Sequence, residues 1–466
     1  MLFSSPSFLI FFGAYLVLHA FLPLRFRLSL IVVGSAIFYG YWNPVYIWLP
    51  FAIMLIAYYG AIWMADTQHQ TEKRRRLTSV VAVLLIPLLI VKYTNFIYQD
   101  VFGFITGATG RLVDWQLPLG ISFITFTLIA YVVDVYAGRY RVERNAGMLA
   151  GLVLFFPHLI AGPILRPNEL LPQLHRQKRR LGALAILGVA IFSVGLLKKL
   201  VFADPVSEVV ERVFSSSAEN LNGVDYLIGI YGFALQIYCD FSGYTDMAIG
   251  AAILLGVRLP TNFQRPYVAI SIVDFWTRWH ITLSKWLRDY LYIPLGGNRH
   301  GYLRQSANLF ITMGLGGLWH GASWTFVIWG LTHGMGISFV HAIRRFRALR
   351  WLGKLPRSLK IIVTFHFVSA CWILFRAPDM ATAWRVASGP FVSSWSNVGD
   401  TLQNHVFSLF LLTVFFLSHR WDDHQTIRKF VKRAPKAIFW PTIVLIWLLA
   451  MTVSQGSSAK FIYFDF

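Results

Sequence analysis

Charged residues are scarce in this chain. Of its 466 residues only 14% are Asp, Glu, Lys or Arg, whereas 56% are hydrophobic and 16% are aromatic. A soluble domain carries about a quarter charged residues. The shortage of charge excludes an ordinary soluble protein and predicts an all-α polytopic membrane protein. In such a protein the chain length indicates the number of membrane spans and not the number of domains.

Acidic residues are scarcer than basic ones. The chain has 21 Asp and Glu against 42 Lys and Arg, which gives a formal net charge of +21. The cations gather in short clusters between apolar runs, as in Lys73-Arg74-Arg75-Arg76. Clusters of this kind mark cytoplasmic loops of membrane proteins. We therefore predict a lipid bilayer, and not a nucleic acid, as the partner of the basic residues.

Cysteine is almost absent. Cys239 and Cys371 both lie in apolar segments, so a disulfide framework and a cysteine metal site are not predicted. Histidine spacing also argues against zinc, because His280, His320 and His333 are not three or four residues apart. We predict no metal. Motifs of serine hydrolases and nucleotide-binding folds are missing as well.

Apolar runs that approach the ~20 residues needed to cross a bilayer predict ten or eleven full spans plus re-entrant and amphipathic pieces. The run Met148–Ile164 is short and contains two prolines, so it is predicted to be re-entrant. The basic clusters place both termini on the outer side. The remaining apolar runs are Ser7–Leu22, Leu28–Tyr41, Val45–Met64, Leu77–Tyr98, Leu117–Tyr136, Leu181–Phe202, Tyr226–Tyr238, Thr245–Leu255, Leu309–His320, Trp324–Ala342, Ile361–Phe375, Phe407–Leu417 and Ala437–Val453.

The stretch from Asp274 to Gly334 concentrates titratable side chains in an apolar context. Such groups are expensive in hydrocarbon and tend to be functional. His320 lies at the tip of a predicted hairpin, after glycines that permit close backbone approach or a break in the helix. It is a candidate general base, a neutral imidazole in a dry pocket. The alternative is a core histidine that donates to a backbone carbonyl.

His280 is the second candidate. It could polarise an acyl carbonyl or hold the donor, with Arg278, Lys285 and Arg288 available to phosphates. The alternative is an interfacial amphipathic helix. On one continuous helix His333 would point about 220° away from His320, so it is predicted to be structural.

Asp240 and Asp246 are carboxylates in or beside an apolar run. Each could pair with Arg278, Arg288 or a histidine, and we favour a structural ion pair over a catalytic role.

Six segments of the chain resemble the membrane-bound O-acyltransferase (MBOAT) family, and within it the alginate O-acetylation protein AlgI branch. They are Leu117–Tyr136, Phe155–Leu174, Gln236–Gly250, Asp274–Arg299, Gly316–Gly334 and the terminal FIYFDF. The resemblance implies one membrane-embedded domain over residues 1–466, with a catalytic core at roughly 117–343 and helices around a central funnel or tunnel. It also implies that His320 is catalytic and that His280 is a second functional residue. Candidate substrate-binding residues are Arg278, Lys285, Arg288, Asp240 and Trp319.

The resemblance further implies acetyl transfer from cytoplasmic acetyl-CoA, with no bound cofactor, in a bacterial inner membrane. The acceptor would be an exported polysaccharide such as alginate, reached through a periplasmic SGNH-type acetyltransferase. Cellulose, another exopolysaccharide, peptidoglycan and D-alanyl transfer to teichoic acid by a DltB-type enzyme remain alternatives. So does a polymer transporter or scaffold without covalent chemistry. The chain departs from the branch at Cys239, where an aromatic residue is usual, and at Asp465, where Gln is expected.

Overall fold

The computed structural model describes every residue except 108, 109, 161, 177–182, 219, 455–458, 460 and 463–466. Regular structure in these described parts is entirely helical, with α-helices continued in places by short 3-10 or π-helical segments. The predicted fold class is confirmed. Asp465 lies outside the described residues, as does the terminal motif from residue 463 onward.

The chain forms two compact units. The first comprises Met1–Phe192 and Tyr244–Thr261, and the second comprises Ser193–Gly243 and Asn262–Phe466. Helices that belong to the first unit alone are α1 Pro6–Phe21, α2 Arg27–Gly40, α3 Trp48–Ala65, α4 Gln70–Leu88, α5 Thr94–Phe96, α6 Gly103–Thr106, α7 Ile121–Tyr136, α8 Ala146–Leu154, α9 Phe156–Leu159 and α10 Pro167–Arg176.

Two helices have residues in both units, α11 Ala183–Leu197 and α13 Gly223–Leu254. The other helices belong to the second unit. They are α12 Asp204–Phe214, α14 Ile272–Arg278, α15 Ile281–Leu287, α16 Gly301–His320, α17 Trp324–Arg345, α18 Arg357–Arg376, α19 Met380–Val392, α20 Val398–Asn404, α21 Val406–Ser418, α22 His424–Arg433 and α23 Lys436–Ser454.

The apolar runs of the sequence predict ten or eleven membrane-spanning helices. Among the described residues six helical stretches are long and apolar enough to cross a bilayer, or seven if a pair bent by 73° counts as one span. Apolar helices α1 and α7 are only 16 residues long. Among the described helices, apolar character therefore extends to helices shorter than these six stretches. The six stretches are Pro44–Ala65, Gln70–Phe102, Leu184–Phe214, Trp324–Arg345, Arg357–Arg376 and Lys436–Ser454.

The two predicted spans on either side of Cys239-Asp240-Phe241-Ser242-Gly243 are in fact one helix, α13, of 32 residues. Gly243 does not interrupt it. A Cβ added there would lie 2.7 Å from the carbonyl oxygen of Gly195, so this glycine allows a neighbouring backbone to come close. A glycine inside a helix costs only about 1 kcal/mol, which such packing offsets.

The predicted re-entrant segment is a pair of short helices, α8 and α9, which meet at a non-helical Phe155. Every residue of both helices from Met148 onward is buried. At 1.5 Å per residue the nine residues of α8 cover less than half of a hydrocarbon core, so this segment does not cross a membrane alone.

Candidate active site

The hairpin of α16 and α17 presents His320. Its helices approach backbone to backbone, because added Cβ atoms at Gly317 and Gly330 would overlap the carbonyl oxygens of Phe326 and Met313. Helix α16 runs without interruption through its glycines to His320. Of the two uses predicted for these glycines, close approach is the one observed, and a helix break is not.

His320 is the last residue of α16 and is only 4% exposed. Its ring lies edge-on to three aromatic rings, with centroid distances of 4.9 Å to Trp319, 5.1 Å to Trp329 and 5.1 Å to Phe375. A charged imidazolium is costly in such apolar surroundings. The arrangement therefore favours a neutral imidazole, one of whose nitrogens carries a lone pair.

His280 joins α14 to α15 in a left-handed backbone conformation, with φ 41° and ψ 55°. This conformation is uncommon for a residue with a side chain and costs on the order of 1–3 kcal/mol. Two backbone hydrogen bonds flank it, from Gln264 N to Arg278 O at 2.9 Å and from Ile281 N to Asn262 O at 2.9 Å. The turn leaves the His280 side chain fully buried.

Asn262 determines which nitrogen of His280 carries the proton. Its side-chain oxygen accepts from the Thr282 backbone N–H at 3.1 Å and from the Thr282 hydroxyl at 2.9 Å. The same oxygen lies 3.2 Å from His280 Nδ1. A backbone N–H can only donate, so the amide oxygen must face this way and His280 Nδ1 must be the donor. In the neutral ring, Nε2 then bears the lone pair.

Trp319 lies between the two candidate histidines. Its ring centroid is 6.3 Å from that of His280 and 4.9 Å from that of His320. On another side, the Phe241 ring meets His280 edge-on at 4.8 Å. The structure therefore brings together three predicted site residues, His280, Trp319 and His320, in one buried aromatic cluster.

His333 belongs to the same cluster but is held differently. Trp276 donates its indole N–H to His333 Nδ1 at 3.3 Å, so the lone pair of Nδ1 is engaged. Its ring also packs 4.7 Å from Trp329, which in turn contacts His320. The two histidines lie on separate, antiparallel helices and both contact Trp329, so the spacing on one continuous helix does not describe their arrangement.

The predicted phosphate-binding cations are half-buried or exposed. Arg278 pairs with Asp274 at 2.7 Å and Arg288 with Asp289 at 2.6 Å, while Lys285 is exposed on α15. Both arginines thus have a carboxylate neighbour that partly offsets their charge.

Asp240 was a candidate for a structural ion pair with Arg278, Arg288 or a histidine. It pairs instead with Lys199, at 2.8 Å, within the second unit. Sequence reasoning missed Lys199, although two adjacent lysines inside the apolar run Leu181–Phe202 were a usable signal. Asn262 was missed too, and as a polar residue in a loop it gave no sequence signal.

The histidine cluster lies within a region that matches a known family. Residues 35–375 match the membrane-bound O-acyltransferase family. The chain belongs to this family. The match confirms the resemblance to the MBOAT family given by the sequence motifs. The protein is therefore a multi-pass membrane acyltransferase.

Similar MBOAT proteins carry several names. A protein of Azotobacter vinelandii named "Probable alginate O-acetylase AlgI" is 38% identical over 419 residues, 89% of this chain and 83% of that protein. The "Peptidoglycan O-acetyltransferase" of Helicobacter pylori is 37% identical over 84% of this chain and 79% of its own length. The "Teichoic acid D-alanyltransferase" of Bacillus subtilis is 26% identical over 55% of this chain and 68% of its own length.

Proposed function

We propose that this acyltransferase moves acetyl groups from acetyl-CoA on the cytoplasmic side to an exported polysaccharide. The observation that carries the proposal is the buried cluster of His280, Trp319 and His320. It supplies neutral imidazoles in a buried apolar site, which suits acyl transfer from a thioester. The alginate and peptidoglycan O-acetyltransferase relatives support acetyl as the group and a polymer as the destination.

In this mechanism His320 acts as the general base. Its lone pair takes the proton from a hydroxyl of the molecule that receives the acetyl group. The oxygen of that hydroxyl then attacks the carbonyl carbon of the thioester. A C–O bond forms and the C–S bond breaks. The leaving thiolate recovers the proton from the imidazolium of His320, so the ring returns to its neutral state. In an alternative route His320 itself takes the acetyl group before passing it on.

His280 is assigned the role of a hydrogen-bond acceptor. Because its Nδ1 donates to Asn262, the neutral ring offers Nε2 as a lone pair and not as a proton donor. This protonation fits a residue that orients a hydroxyl or N–H of a substrate. It fits less well with the polarisation of an acyl carbonyl, for which a donor is needed.

The acceptor we favour is an alginate-type exopolysaccharide, reached through a separate periplasmic SGNH-type acetyltransferase. The protein would then lie in a bacterial inner membrane with both termini outside. The 38% identity to the Azotobacter protein named for alginate supports this choice over D-alanyl transfer, for which the quoted relative is 26% identical. Identifying the ester on each polymer of the cell, acetyl or D-alanyl, distinguishes these alternatives.

Replacing His320 tests the chemistry. In cells that carry His320→Ala, we expect acetyl esters on the secreted polymer to fall by about 100-fold or more, the usual contribution of a general base. His366→Ala is a matched control, since His366 is exposed on α18 and its ring bonds the Ile362 carbonyl of its own helix. A transporter or scaffold without covalent chemistry would tolerate both changes, and unchanged acetylation in His320→Ala would reject the catalytic role.

A further inference from the structure

A buried ion network lies at the end of α11, where the helix continues as a π-helical segment, Lys198–Ala203. Wide turns of this kind are rare and occur frequently at functional sites. Lys199, in this segment, is only 2% exposed. Its ammonium lies 2.8 Å from Asp204 Oδ1 and 2.8 Å from Asp240 Oδ1. One cation thus holds two carboxylates.

Each carboxylate uses its other oxygen to bind the end of the chain. Asp204 Oδ2 accepts from the backbone N–H of Ala459 at 3.2 Å, and Asp240 Oδ2 accepts from that of Ile462 at 2.7 Å. Hydrogen bonds to ionised acceptors are stronger than neutral ones. The two N–H groups therefore add to the stabilisation that Lys199 gives to the two carboxylates.

Phe461, between these two anchors, is fully buried. Its ring centroid lies 5.9 Å from that of Phe241, the residue that follows Asp240. The Phe241 ring in turn meets the His280 ring at 4.8 Å. A continuous path of contacts therefore runs from Lys199, through the C-terminal residues, to a histidine of the candidate active site.

We propose that Lys199, Asp204 and Asp240 form a docking site for Ala459, Phe461 and Ile462 of the same chain. Docking packs Phe461 against Phe241, which positions the His280 ring. Lys199 is thus a positioning residue: it sets the spacing of the two carboxylates that bind the segment. The effect on acetyl transfer rests on the proposed function, whereas the docking does not.

The neighbouring lysine provides a matched control. Lys198 is also buried, but its ammonium pairs with Asp422 at 2.6 Å and lies over the ring of Tyr238. Lys198→Met removes a buried ammonium from the same helical turn and leaves the two carboxylates of the docking site with their lysine.

Hydrogen exchange of the full-length protein in lipid nanodiscs tests the docking. In the unmodified chain, peptides that cover residues 459–462 should show slow exchange at the amides of Ala459 and Ile462. Lys199→Met should speed that exchange about tenfold or more, because both carboxylates that accept from these amides lose the ammonium that pairs with them. Lys198→Met should leave it slow, and Lys199→Arg should restore most of the protection, since a guanidinium can bridge two carboxylates.

Fast exchange at both amides in the unmodified protein would overturn the docking site, even if the Lys199→Met variant fails to fold. So would slow exchange in a folded Lys199→Met variant. The link to His280 has its own readout, namely acetyl esters on the polymer in cells. Lys199→Met should lower them about tenfold and Lys199→Arg should recover them. Fast amide exchange in Lys199→Met together with unchanged acetylation would reject the positioning role of Lys199, but it would still support the docking site.

Discussion

His280 and His333 are equally buried in the same unit, yet their rings are held in opposite ways. Both side chains have no exposed surface, and both are surrounded by aromatic rings. At His280, Nδ1 donates to an amide oxygen of a distant loop. At His333, Nδ1 accepts from the indole N–H of Trp276.

The hydrogen-bond partner of Nδ1, and not burial, therefore distinguishes these two histidines. A neutral imidazole has one lone pair and one N–H. His280 uses its N–H to hold the ring and carries the lone pair on Nε2, while the lone pair of His333 already receives a hydrogen bond from Trp276. This difference supports a chemical role for His280 and a supporting one for His333.

Of these two histidines, His280 is expected to give the larger effect when its imidazole is removed. Asparagine tolerates a left-handed backbone better than most residues. His280→Asn therefore removes the imidazole ring with little added backbone strain. Acetyl esters on the secreted polymer should fall about 10- to 100-fold, because the transition state loses part of its stabilisation. Wild-type acetylation in a folded His280→Asn protein would remove the distinction between the two histidines.

A smaller effect is expected at the partner of His333. Trp276→Phe removes the N–H that binds His333 Nδ1 and keeps most of the ring. The protein should lose about 1 kcal/mol of stability, the usual net value of one hydrogen bond, seen as a lower unfolding temperature in detergent. Acetylation should stay within about twofold of wild type. A loss as large as that of His280→Asn would show that His333 takes part in the chemistry.

Much of the helical architecture could be predicted from apolar runs and their flanking residues. The α16–α17 hairpin with His320 at its tip follows from glycines and apolar spacing, which are local properties of the sequence. The single helix α13 was missed because a glycine such as Gly243 predicts a helix break as readily as close packing, and only the position of the Gly195 backbone decides between them.

The parts of the site that could not be predicted depend on contacts between residues far apart in the sequence. The Asn262–His280 bond joins a loop to a turn, and the Lys199–Asp240 pair joins two helices. Neither pairing follows from the spacing of residues along the chain. The polar residues could be recognised as unusual in an apolar sequence, but their partners depend on how the helices pack.

The central claim, that His320 performs the acyl transfer, is tested most directly with purified protein in nanodiscs. The assay follows radiolabelled acetyl from acetyl-CoA to polymer, with and without the periplasmic acetyltransferase. We predict transfer only with both proteins present, and a fall of about 100-fold or more in its rate with His320→Ala. Transfer at the wild-type rate by the His320→Ala protein would contradict this account.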